Sequence, residues 1–101
     1  MYIDFHCHTK KTKSSEPDTR NIDKERFVTI LSNKGVGIVA ITNHNQFDIS
    51  QYADFAENEQ VIVWPGVEFD VVGNVSSAHC IVICNPEFST QFSDVVIALT
   101  R

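Results

Sequence analysis

Apolar and polar positions alternate from the first residues of the chain. In "YIDFHCHT", Tyr2 to Thr9, an extended strand puts Ile3, Phe5 and Cys7 on one side and Asp4, His6 and His8 on the other. A polar loop with Pro17, "KKTKSSEPDTRN", follows. "IDKERFVTILSNKG" then changes to a helical period. Asn21 is placed to cap it, Asp23 and Glu25 sit in its first turn, Gly35 ends it, and Ile22, Phe27 and Leu31, with Ile30, supply its buried stripe. "VGIVAIT" is an unbroken apolar run, the pattern of a strand covered on both faces. After the loop "NHNQF", "DISQYADFAEN" reads as a second helix, with a capping box of Asp48 and Gln51 and with Tyr52, Phe55 and Ala56 turned inward. "VIVW" is a third strand, broken at Pro65-Gly66. "VEFDVV", a Gly73-Asn74 turn and "SSAHCIVIC" read as a hairpin. "STQFSDVVIALTR" is helical, with Phe92, Val95, Val96 and Leu99 on one stripe.

This alternation of strands and helices predicts an α/β layer with a largely parallel sheet and one hairpin. If Gly73 and Asn74 alone form the turn, Val72 pairs with Val75, Asp70 stands opposite Ser77, and Glu68 stands opposite His79. A wider loop through Ser76-Ser77 is the rival. The helical pattern runs to Arg101 with no capping signal, so the expectation is that residues 1–101 form the N-terminal part of a single larger domain.

Composition narrows the field. The 101 residues are 43% hydrophobic, enough for one domain with a modest core. The net charge of -5 lacks the basic footprint of a general nucleic-acid binder, although a metal site would supply positive charge of its own. Cys7, Cys80 and Cys84 are an odd set with no disulfide framework. They read as small buried hydrophobes in a reducing compartment in preference to a poorly spaced zinc knuckle. No apolar run reaches membrane-spanning length and strand pattern begins at Tyr2, so the expectation is a cytoplasmic protein with no membrane partner.

The candidate chemistry lies in the histidines. His-x-His by itself is weak, because a strand that leaves two histidines in solvent is the commoner case. Placement changes the weighing. His6 and His8 fall at the end of the first strand, His44 after the second in "ITNHN", Glu68 after the third in "PGVE", and His79 at the start of the next in "AHCIVI". Reactive groups in parallel α/β sheets gather at the carboxyl ends of strands. His44 alone would be an ordinary loop histidine and Glu68 alone a solvated acid. Together, from separate strand ends, these residues suit a divalent metal. Lys10, Lys11 and Lys13 are either contacts for a substrate phosphate or a solvated basic loop.

The stretches "DFHCHT", "AITNHN", "PGVEFD" and "AHCIVI", in that order, resemble the polymerase and histidinol phosphatase (PHP) superfamily of metal-dependent phosphoesterases. The likeness covers most of the chain, as the first part of a PHP domain. It implies a partial distorted (β/α) barrel and a centre of two or three divalent ions, Zn, Mn or Fe, in a complete domain. By position, His6 and His8 look like ligands of the first metal, Glu68 like the carboxylate bridging two, His79 like a ligand of the second, and His44 like a ligand of a third. Three departures stand out. Asn43 occupies a place that is usually Asp in the family. The acidic ligand that often follows the first motif has two candidates, Glu16 and Asp18. The family's later His and its closing Asp-x-His motif have no counterpart before Arg101.

The implied function is hydrolysis of a phosphate ester, of a phosphorylated small molecule or a nucleic acid, with water activated by the metals as nucleophile and no side-chain nucleophile from the protein. DNA-repair or polymerase-associated roles are within what the likeness implies. The alternative is a non-catalytic, metal-binding PHP module of a larger protein, fused to an ATPase or polymerase domain. With the closing ligands absent, residues 1–101 alone are expected to be weakly active or inactive.

Overall fold

The computed structural model describes residues Met1–Arg101. The elements are β1 (Tyr2–Cys7), α1 (Lys24–Asn33), β2 (Val36–Ile41), α2 (Ile49–Ala56), β3 (Ile62–Val72), β4 (Ser77–Ile83) and α3 (Ser89–Leu99), with single 3-10 turns at Asp18–Arg20 and Pro86–Phe88. The protein is α/β. Its four-stranded sheet has the order β1-β2-β3-β4 and curls in a way compatible with part of a barrel.

The sheet is mixed, which corrects the expectation of a largely parallel one. β1 and β2 pair in parallel, as do β2 and β3, but β3 and β4 form an antiparallel ladder. The reason is in β3, which is one continuous strand and is not broken at Pro65-Gly66. Its first stretch, Ile62 to Pro65, pairs with β2; its second, Gly66 to Val72, pairs with β4. Pro65 has no N–H to give a ladder, and it sits where the strand exchanges partners, with its carbonyl accepting from Cys84 N at 2.9 Å. At Gly66 both partners press in. A Cβ there would meet Thr42 Cγ2 at 2.9 Å, the Ile41 carbonyl oxygen at 3.0 Å and the Val82 carbonyl oxygen at 3.1 Å.

The hairpin is wider than a two-residue turn. Val72 pairs with Ser77, Asp70 with His79, and Glu68 with Ile81. Gly73 donates to the Ser76 carbonyl at 2.8 Å, closing a four-residue loop. The register therefore lies two residues from the expected one. Because side chains alternate with period two, a shift of two keeps His79 on the face of Glu68, diagonal to it instead of opposite. On the other face Val67 pairs with Val82, Phe69 with Cys80 and Val71 with Ala78.

The first two helices start on aspartates. Asp23, not Asn21, caps α1 by accepting from Arg26 N at 2.8 Å, while Asn21 accepts from Lys11 N. Gly35, at φ 75°, turns the chain out of α1 into β2. Asp48 caps α2 through Gln51 N at 3.0 Å, but the Gln51 side chain does not return the bond and accepts instead from Thr9 Oγ1. Phe27, Val28 and Leu31 of α1, Tyr52 and Phe55 of α2, and Phe92 and Val96 of α3 pack with Val39, Ile41, Val63 and Val67 of the sheet into one core. The Phe27 and Phe55 rings lie 4.9 Å apart, and those of Phe47 and Phe92 5.0 Å. Val95 and Leu99 fall outside the α3 stripe and are exposed, as is Cys80; Ser93 takes a buried place on α3. No helix is long and apolar enough to cross a membrane.

Candidate metal centre

Val67 is fully buried in the core, so its neighbour Glu68 points to the opposite face of β3. That face carries the candidate site. Glu68 is 2% exposed, and its partners are imidazoles from either side. Oε1 lies 2.8 Å from His6 Nε2 and 2.8 Å from His8 Nε2, and Oε2 lies 2.6 Å from His79 Nδ1. His44 Nε2 stands 3.7 Å from Oε1. The five residues singled out in the sequence thus meet around one carboxylate. Glu68 and His79 are interior residues of β3 and β4, not strand ends; only His8 and His44 follow the strands that deliver them.

The backbone explains the convergence. Between two paired positions β1 carries two residues, Phe5 and His6, where β2 carries one, Ala40. This bulge breaks the alternation. Asp4 leaves the cluster and its carboxylate accepts His6 N at 2.9 Å. Beyond β2, the chain makes one more parallel bridge, His44 to Glu68, with Glu68 N donating to the Asn43 carbonyl (3.0 Å) and Asn45 N to the Glu68 carbonyl (2.9 Å). Asn45 adopts φ 53°, a left-handed conformation that asparagine tolerates. Asn43 does not join the donors. Its Oδ1 accepts from Thr9 N (2.9 Å) and Lys10 N (3.1 Å), and its Nδ2 donates to Thr9 Oγ1 (3.1 Å). An aspartate could accept those two bonds but not donate the third, so the amide ties the exits of β1 and β2 together in its own way.

Three groupings of donors could hold a divalent ion: His6, His8 and Glu68; His8, Glu16 and His44; and His44, Asp70 and His79. Of the two acidic candidates after the first motif, Glu16 is in the cluster and buried, whereas Asp18 is exposed and pairs with Lys11. Glu16 accepts from Thr12 N at 3.0 Å and from Arg20 at 2.7 Å. The Arg20 guanidinium also touches His8 Nδ1, so a fixed positive charge already faces this second grouping. Arg20, Thr19, His6 and His8 line an open cleft over the site. Asp70 was not singled out in the sequence. The signal was its spacing of two from Glu68 on one strand, which puts both carboxylates on the same face.

The electrostatics favour metal ligation. Burial pushes the Glu68 pKa up, yet hydrogen bonds from His79, His8 and His6 win and hold it down at about 2. Burial lowers the His8 pKa; the hydrogen bond to Glu68 opposes this, and the charges of Arg20 and His44 add to it. A neutral imidazole is the form a metal requires. Asp70 is held below the usual carboxylate range, first by the Lys13 hydrogen bond. Burial, with Asp4 adding, pushes the Cys7 thiol up to about 11, so it is no thiolate nucleophile at neutral pH.

The donor set passes a further test of fit. His44 Nδ1 and Asp70 Oδ1 are buried and have no hydrogen-bond partner. Buried polar atoms are rarely left so, and a cation held between them would satisfy both. The three lysines of the loop are each paired, Lys10 with Asp48 (2.9 Å), Lys11 with Asp18 (2.9 Å) and Lys13 with Asp70 (3.0 Å); only Lys13 reaches the cluster. No protein-family model matches the chain, and no curated protein does.

Proposed function

We propose that this protein carries a multi-metal centre of the PHP type that hydrolyses phosphate esters. The observation that carries the reading is Glu68: a carboxylate 2% exposed, kept ionised, with imidazoles at 2.6–2.8 Å on both of its oxygens. One carboxylate with His6 and His8 on one oxygen and His79 on the other is an arrangement suited to bridging two ions. Such ions, Zn, Mn or Fe, would activate water and polarise a phosphoryl group. The protein's own part is to hold the donors and to present the cleft. His6 and Arg20 line its mouth, and Arg20 has guanidinium donors beyond the one given to Glu16, fit for a phosphate oxygen of a small molecule or a nucleic acid.

The test uses the purified full-length protein of which residues 1–101 form part, with Mn(II) or Zn(II), assayed on p-nitrophenyl phosphate and on bis-p-nitrophenyl phosphate. Hydrolysis that disappears with chelator, and falls at least about 100-fold in Glu68→Ala, is the expected result. Metal uptake without turnover of either ester would favour the non-catalytic module. Turnover that survives both chelation and Glu68→Ala would refute a metal mechanism at this site.

A further inference from the structure

We infer that His44, Asp70 and His79 form a metal site of their own, with His44 Nδ1, Asp70 Oδ1 and His79 Nε2 as donors. This rests on the metal-centre reading but assigns a ligand, Asp70, that the sequence motifs do not supply. The two groupings around Glu68 differ in how their atoms are satisfied. Around His6, His8 and Glu68 the separations are hydrogen-bond lengths, so those donors are partnered with one another. At Asp70 they are not. Oδ1 stands 3.3 Å from His44 Nδ1 and 3.7 Å from His79 Nε2, and neither contact is a hydrogen bond. Two ligand atoms each about 2.1 Å from a tetrahedral ion are about 3.4 Å apart, so these spacings are those of neighbouring ligands on one ion.

The unpartnered atoms point the same way. His44 is 7% exposed, and its Nδ1 and Asp70 Oδ1 are the two buried side-chain atoms left without a hydrogen bond. The other oxygen of Asp70 is occupied. Oδ2 accepts from Lys13 Nζ at 3.0 Å and from Asn45 Nδ2 at 3.2 Å, while Asp70 N donates to Asn45 Oδ1 at 2.9 Å. Those bonds fix the carboxylate so that Oδ1 faces the imidazoles, which is how outer partners orient a ligand. Two imidazoles and one carboxylate suit a divalent transition ion such as Zn, Mn or Fe(II). His79 then serves two neighbours, Nδ1 toward Glu68 and Nε2 toward Asp70.

The experiment measures metal per chain by elemental analysis after loading with Zn(II) and removing excess, together with the visible spectrum of the Co(II)-loaded protein. Asp70→Asn keeps the shape and both outer hydrogen-bonding neighbours. It is expected to lose one equivalent of metal, or to bind that equivalent 10–100-fold more weakly, and to lose one component of the Co(II) spectrum. Asp70→Ala, which removes the carboxylate and leaves His79 on Glu68, is expected to lose the same equivalent and covers the case in which Asp70→Asn does not fold by circular dichroism. Uptake and spectrum unchanged in both variants would overturn the site, as would a wild-type chain that takes up fewer than two equivalents. Hydrolysis absent with every equivalent retained would count against the proposed phosphoesterase alone.

Discussion

At the scale of the residue, Glu68 shows why burial alone does not decide a charge. Its environment would raise the pKa, but three imidazole contacts outweigh that and leave it near 2, against an ordinary value of 4.5. The folded value lies below the unfolded one, so the ionised Glu68 stabilises the fold above pH 4.5, and this contribution disappears as pH falls from there toward 2. Glu68→Gln cannot ionise. In urea titrations with chelator present, the wild type is expected to lose more stability across that window than the variant. Equal acid sensitivity would mean that the pairing seen here contributes nothing. The histidines and Glu68 are legible as a set because each is an unusual residue in or beside an apolar run of the sequence, although Glu68 and His79 lie inside their strands. Strict alternation puts Asp4 on the face of His6 and His8, but the bulge in β1 turns it away, and a two-residue hairpin turn would set Asp70 opposite Ser77 where the four-residue loop sets it opposite His79. Glu16 could be separated from Asp18 only by the loop's own packing, in which Arg20 reaches one and solvent the other.

Among the elements, β3 does the most to build the site, and it was the one least legible. Pro-Gly in an apolar run reads as a break, yet here it marks an exchange of partners in an unbroken strand. The helices were easier, because their caps and periods are local; α1 and α2 lie close to where their patterns put them, and only the identity of the α1 cap and the outer positions of α3 differ. The hairpin loop grew from two residues to four without harm to the site, since an even shift leaves every side chain on its face. Gly66 is where β3 can least tolerate change. A methyl group there would press on two backbone oxygens and on the Thr42 methyl, all within 3.1 Å, and backbone cannot swing aside as a side chain can. Gly66→Ala is therefore expected to cost roughly 1–3 kcal/mol in chemical denaturation, the range for overpacking in a tight core. It should also disturb metal uptake, because Glu68 is two residues on. A variant as stable as the wild type would show that β2 and β4 can part around the junction.

For the whole molecule, the donors come from every part of the sheet: His6 and His8 from β1 and its exit, His44 from the exit of β2, Glu68 and Asp70 from β3, and His79 from β4. The apolar core lies on the other face, where the helices pack, so the strands are joined on one side by the core and on the other by polar contacts around Glu68. An ion bound there would link segments up to 73 residues apart in sequence, from His6 to His79, and the unfolded chain has no such arrangement. Binding of this kind stabilises by about 2.7 kcal/mol when the free ion is at 100 times its dissociation constant. For a domain of this size that corresponds to a rise in Tm of roughly 10–20 °C. The expected outcome is a Tm that climbs with added Zn(II) or Mn(II), returns with chelator, and no longer responds when Glu68 is replaced by Ala. The control matters, because ions that merely adhere to an acidic surface would shift wild type and variant alike. Parallel shifts, or a Tm indifferent to both ion and chelator, would mean that these histidines and carboxylates hold the sheet together by hydrogen bonds alone.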